Sequence, residues 1–161
     1  MSKKTAETPL KPSVSRHPFS DPENNAGFVM WQVSMLWQRR LKAELDKLEL
    51  THAQFLLMAA LDYLSTQKKI VSQQDLATHC RIDKMMTSKI LSIVQKKGFI
   101  TRRKNKMDTR SKTLVLSEEG EKTLKTALKA VDRVDGDFLV PLGLNAMSFQ
   151  DDMRSLLKSN Y

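Results

Sequence analysis

At 161 residues, 40% of them hydrophobic, the chain can build one packed domain with an appended arm, and no run approaches the roughly 18 apolar residues of a membrane span. The amino terminus lacks the apolar core of a secretory signal, and a lone cysteine, Cys80, excludes an internal disulfide, so the cytoplasm is the expected compartment. The net charge of +9 is local: residues 81–112 hold eleven basic residues against two acidic ones, so everything outside that stretch sums to zero, and such concentration is the footprint of a polyanion site.

Residues 1–20 are rich in Pro, Ser, Thr and Lys, which predicts a flexible arm. Asp21-Pro22 reads as a helix start, an N-cap followed by proline, with the helix running to about Lys47. Phe28, Val29, Val33, Leu36, Trp37, Leu41, Leu45 and Leu48 give it a broad apolar face. Trp31 and Met35 widen that face beyond what one core needs, and a second subunit is the simplest partner for the excess. Thr51-His52-Ala53-Gln54 fits a capping box. The helix it opens is nearly all apolar from Phe55 to Leu64 and is expected to be buried all round. Ser72-Gln73-Gln74-Asp75 fits a second capping box, for a short helix through Leu76, Ala77 and His79. Cys80-Arg81-Ile82 is the turn that follows, with Cys80 a small buried residue rather than a reactive thiol.

Asp83 can cap the next helix, and Gly98 sits where it should stop, with Lys96 and Lys97 in its last turn. Met86, Ile90, Ile93, Val94 and the Lys97 stem fall on one face; Met85, Ser88, Lys89, Ser92, Gln95 and Lys96 fall on the other. The second face carries no carboxylate. Its hydroxyls, amide and ammonium groups suit the base edges and phosphates of a DNA major groove. After Gly98 the period changes: Phe99–Arg103 and Lys112–Leu116 read as strands around a polar, basic tip. A basic hairpin behind such a helix is a winged helix-turn-helix, the hairpin reaching the backbone or the minor groove. Ser117-Glu118-Glu119 starts a helix with the stripe Leu124, Leu128, Val131, Val134 and Phe138, ending near Pro141-Leu142-Gly143. Asn145 is expected to cap a last helix carrying Phe149, Met153, Leu156 and Leu157. Lys122, Lys125, Lys129 and Arg133, with Asp132, Asp135 and Asp137, read as a solvated face of mixed sign.

Gly98-Phe99-Ile100-Thr101-Arg102, Asp108-Thr109-Arg110, Leu114-Val115-Leu116-Ser117 and Gly120 resemble the wing of the MarR family of bacterial transcriptional regulators. The similarity covers roughly residues 25–158. It implies that Arg110 enters the minor groove with Asp108 orienting it. It also implies dimerisation through the first and last helices, and small phenolic or other amphipathic effectors bound between the dimer helices and the DNA lobes. Met85 and Met86 depart from the small polar residues that the family often carries there.

The expected fold is mainly α with a small β-wing (α+β). Residues 1–20 form the arm, 21–48 and 118–161 a helical dimerisation region, and 49–117 the winged helix-turn-helix DNA-binding domain. The expected function is a homodimeric, sequence-specific regulator, a repressor on a pseudo-palindromic double-stranded DNA operator, released by a small aromatic or amphipathic effector. The expected DNA contacts are Lys84, Met85, Ser88, Lys89, Ser92, Lys96, Arg103, Lys104, Lys106, Asp108 and Arg110. Trp31, Trp37, His52 and Phe55 are the candidate effector pocket, with Phe28, Met58 and Tyr63 beside them; core packing accounts for the same residues without a ligand. His17, His52 and His79 lie far apart in sequence, and no phosphate-cradling glycine loop or nucleophile motif occurs, so no metal, cofactor or enzymatic role is expected. The alternative is a non-specific or architectural protein using the same lobe on phosphates alone.

Overall fold

The computed structural model describes residues 21–68, 70–104 and 112–160, with only the backbone of Lys104 and Lys112. The arm and the hairpin tip, with Lys106, Asp108 and Arg110, lie outside the described residues. The chain divides into two compact units, residues 1–36 and 37–161.

In the first unit a short 3-10 helix, Pro22–Asn24, precedes helix α1, Ala26–Asp46, which continues into the second unit. Asp21 does not cap α1, contrary to the expectation from Asp21-Pro22: its carboxylate accepts the Asn24 side-chain amide. Asn25 takes over, its Oδ1 accepting the Phe28 N–H at 2.8 Å. Proline starts a turn too tight for α geometry, and the α-helix begins one cap later.

The second unit holds the remaining elements: α2 (His52–Gln67), α3 (Gln73–Cys80), α4 (Lys84–Lys96), β1 (Ile100–Lys104), β2 (Lys112–Leu116), α5 (Glu118–Leu139), a 3-10 segment (Val140–Asn145) and α6 (Ala146–Ser159). Its core gathers Leu41 and Leu45 of α1, Phe55, Leu57, Met58 and Leu61 of α2, Leu76 of α3, Ile90, Leu91 and Val94 of α4, the strand residues Ile100, Leu114 and Leu116, and Leu124 and Ala127 of α5. The strands pair antiparallel with Ile100 opposite Leu116 and Lys104 opposite Lys112. The Leu114 N–H donates to the Val71 carbonyl at 2.9 Å, so the segment before α3 is laced to the hairpin as well.

Both capping boxes are formed. Thr51 Oγ1 accepts the Gln54 N–H while Gln54 Oε1 accepts the Thr51 N–H. Ser72 and Asp75 make the same exchange at the head of α3. Two other expectations fail. α2 is not buried all round: Leu56 and Tyr63, seven residues apart on one stripe, are exposed, because the core covers the arc of Phe55, Met58, Leu61, Leu57 and Ala60 and leaves that stripe open. Asn145 makes no capping bond, since the 3-10 segment runs straight into α6 and leaves no separate helix start. On α5 the buried stripe passes through Ala127 and leaves Leu128 exposed.

Two backbone devices set where α4 meets the hairpin. Gly98, at φ +79°, ends α4 in a Schellman arrangement, the Phe99 N–H donating to Val94 O and the Gly98 N–H to Gln95 O. Across from it, Ser117 caps α5, donates its hydroxyl to Gly98 O at 2.6 Å and its N–H to Phe99 O at 3.0 Å. Gly120 lies so close that a Cβ there would stand 2.0 Å from Phe99 O.

Gly120→Ala should therefore cost about 3 kcal/mol or prevent folding, because the clash is with backbone that cannot swing aside. Gly136→Ala, in an exposed interior position of α5 with no atom within 4 Å of its Cβ, should stabilise by up to about 1 kcal/mol. Urea unfolding of the two variants reads both, and equal effects would contradict the packing described.

Asp75 generates a pH prediction. Burial alone would raise its carboxyl, but the Lys68 ammonium at 2.5 Å and the Ser72 hydroxyl and N–H outweigh that and hold it at about 2, against an ordinary 3.8. A carboxyl depressed on folding stabilises fully above its unfolded value and loses that contribution as pH falls toward the folded one. Asp75→Asn should cost about 1 kcal/mol at pH 7, screened because the ion pair is partly exposed. The difference from the parent should shrink between pH 4 and pH 2 in urea titrations; a difference constant over that range would refute the assignment.

Candidate nucleic-acid interface

α3 and α4 are joined by Arg81-Ile82-Asp83, the helix-turn-helix elbow. Arg81 adopts the left-handed conformation, φ 53°, and its N–H closes α3 onto Ala77 O and Thr78 O. Asp83 Oδ1 then accepts the Met85 and Met86 N–H groups at 2.8 and 3.0 Å, as its position in the sequence predicts. The elbow encloses a shallow hollow of about 340 Å³ lined by Gln74, Ala77, Thr78, Arg81, Ile82, Asp83 and Lys84. Gln74 and Thr78, four apart on α3, line it from one side, Gln74 Nε2 donating to Thr78 Oγ1.

The inner face of α4 is Thr87, Ile90, Leu91 and Val94. Met86 and Ile93, expected in the core, are exposed instead. Thr87 displaces them: its hydroxyl donates to Asp83 O at 2.9 Å, and with its polar group satisfied inside the helix its methyl can be buried. The outer face therefore carries Met85, Met86, Lys89, Ser92, Ile93 and Lys96, with Lys84 at its start and Gln95 at its edge, all exposed, while Ser88 is half-buried. Among these described residues no carboxylate shares the face. Ser92 donates its hydroxyl to Ser88 O at 2.9 Å, so it meets a partner only as an acceptor. Lys97 turns the other way, donating to Glu49 O and to Gln54 Oε1. Arg103 is exposed on β1, opposite Thr113; Lys104 ends that strand.

The proposed pocket residues separate. Trp37 and His52 meet edge to face with ring centroids 5.2 Å apart, and Trp37 Nε1 donates to Asp135 Oδ1 at 2.7 Å. Burial lowers the His52 pKa against the opposing pull of Asp135, which favours the neutral ring. Phe55 and Met58 are core residues. Tyr63 is exposed and stacks on His79. Trp31 and Phe28 belong to the first unit, where their rings lie 5.9 Å apart. Cys80 closes α3 half-buried and packed against the core, and burial raises its thiol pKa.

The mixed charges of α5 sort by position. Lys122, Lys125, Lys129 and Arg133 line a groove of about 440 Å³ with Glu44, Lys47 and Leu48 of the α1 end. Glu44, the one carboxylate in that lining, is taken by Lys47 at 2.7 Å and Arg133 at 2.8 Å.

The arrangement matches known proteins. The family model of the MarR family aligns with residues 50–112. The uncharacterized HTH-type transcriptional regulator YdcH of Bacillus subtilis (strain 168) is 34% identical over 140 residues, 87% of this chain and 95% of that protein. The transcriptional repressor CouR, in a structure bound to a 23-mer DNA duplex, superposes with a TM-score of 0.73 at 23% identity, over 90% of this chain and 98% of that one. CouR from Rhodococcus jostii RHA1 bound to p-coumaroyl-CoA gives 0.71 at 18% identity, over 85% and 92%.

Proposed function

The chain belongs to the MarR family of transcriptional regulators, and we propose that it is a homodimeric, sequence-specific DNA-binding repressor of the cytoplasm that a small effector releases. The observation that carries the reading is the outer face of α4, capped, free of carboxylates and projecting its side chains from the lobe between the elbow and the hairpin. Lys84, Met85, Ser88, Lys89, Ser92 and Lys96 contact the major groove, and Arg103, Lys104 and Lys106 the backbone. No helix among the described residues is long and apolar enough to cross a membrane.

Residues 49–117 form the DNA-binding domain, and 21–48 with 118–161 the dimerisation region. Two faces support that division. In the first unit Met30, Trp31, Met35 and Leu36 are exposed, and in the second so are Leu144, Met147, Leu156 and Leu157. Such apolar excess is covered by a second copy, which sets two lobes about one helical turn apart on a pseudo-palindrome. The effector is small and aromatic or amphipathic; among the similar structures, CouR from Rhodococcus jostii RHA1 is bound to p-coumaroyl-CoA. The contact between Trp37 and His52 is its strongest candidate site here; Phe55 is committed to the core.

Selection of bound duplexes from a random pool tests the reading: an enriched two-fold motif is expected, and indifference to competing unrelated DNA would mean a non-specific or architectural protein instead. Binding to the selected site should fall steeply with salt. A dimer making about four phosphate contacts per lobe gives a log–log slope near −7, and one shallower than about −3 would move the site off this lobe.

At the wing tip the roles of Arg110 and Asp108 rest on the family resemblance. Arg110→Ala should weaken binding. Asp108→Ala should weaken it too, although it removes a negative charge, and should add little once Arg110 is Ala. Tighter binding by Asp108→Ala would leave the pair without its orienting role.

A further inference from the structure

The outer face of α4 is more apolar than a phosphate-binding helix requires. Met85 is 70% exposed, Met86 53% and Ile93 45%. None belongs to the core or to the half-buried set packed against it. At about 100° per residue, Met86 and Ile93 stack on one side of Lys89, and Met85 lies on the other, one turn before it. Hydrogen-bonding readers are correspondingly few: Thr87 is buried, and the Ser92 hydroxyl proton is spent on Ser88 O. That leaves Lys84, Lys89, Gln95 and Lys96 as the exposed donors along the helix.

A major groove presents donors and acceptors at every base pair but one kind of apolar group, the C5 methyl of thymine. Resting on the DNA-reading role proposed above, we infer that Met85, Met86 and Ile93 make this chain a reader of thymine methyls, selecting T-containing steps on either side of the base or phosphate that Lys89 contacts. From Met85 to Ile93 the helix rises about 12 Å, roughly three to four base pairs, so the methyls fall within one short window of each half-site. The two methionines, unbranched and adaptable, can follow a methyl whose position shifts between sequences, while branched Ile93 fixes one. The inference separates this helix from the wing: C5 methyls line the major groove alone, and a minor-groove arginine does not sense them.

The test begins with the duplex selected from the random pool and replaces its thymines one at a time by deoxyuridine, which removes the methyl and keeps the pairing. Deoxyuridine should weaken binding about fourfold at each contacted thymine and leave thymines outside the α4 window unchanged. Each penalty should then vanish in one of Met85→Ala, Met86→Ala or Ile93→Ala and persist in the other two. These side chains are exposed, so the variants keep the fold, and thermal unfolding checks it. An enriched operator that binds equally well with deoxyuridine throughout, or penalties that survive in all three variants, would overturn the inference and leave the regulator reading intact. A pool with no enriched sequence would overturn the sequence-specific reading, and this inference with it.

Discussion

The corner between Gly98-Phe99 and Ser117-Gly120 is the contact on which the DNA-facing lobe depends. Four chain segments converge there: the end of α4, the start of β1, the end of β2 and the head of α5. The Phe99 carbonyl accepts the Ser117 N–H, the Gly98 carbonyl accepts the Ser117 hydroxyl, and Gly120 gives up its side chain so that α5 can begin against Phe99. Apart from the Ser117 hydroxyl these are backbone contacts, with little of the slack that rotamers have. They fix the direction in which the hairpin leaves the helix, and so the angle at which a helix in one groove and a wing in the next can be presented together. The Leu114 bond to Val71 adds a second restraint from the far side of the hairpin.

Local chemistry was legible in the sequence to the residue. Thr51 with Gln54, Ser72 with Asp75, Asp83, Gly98 and Ser117 all act where their types and spacings put them, because caps and C-terminal turns are decided within four or five residues. The failures are tertiary. Leu56, Tyr63 and Leu128 are apolar and outside because the core lies against the other side of their helices. Met86 and Ile93 were assigned inward because hydrophobicity alone ranks them above Thr87; the back-bond that makes a threonine a core residue has no signature in the sequence pattern. Asp21 and Asn145 are cap residues by type, and in both cases an adjoining 3-10 segment takes the position a cap would need.

Charge follows the same division. The excess on residues 81–112 is visible in composition, and helical spacing already sets the Lys97 stem apart from Lys89 and Lys96; the acceptors that Lys97 finds are not visible there. Lys97 is withdrawn to the α1–α2 corner, while Lys89 and Lys96 stay on the open face of α4. On α5 the evenly mixed composition hides a sorted surface, cations on the groove side around a single carboxylate already shared between Lys47 and Arg133.

One oxygen joins these levels. Gln54 Oε1 accepts both the Thr51 N–H that completes the α2 cap and the Lys97 ammonium that ends α4. The same ammonium reaches the carbonyl of Glu49, itself held at φ 54°. The first turn of α2, where His52 touches Trp37, is thereby spliced to the last turn of α4 through one side chain. Loss of the Gln54 side-chain amide would therefore remove the α2 cap and the α4 tie together, so one side chain serves two helix ends.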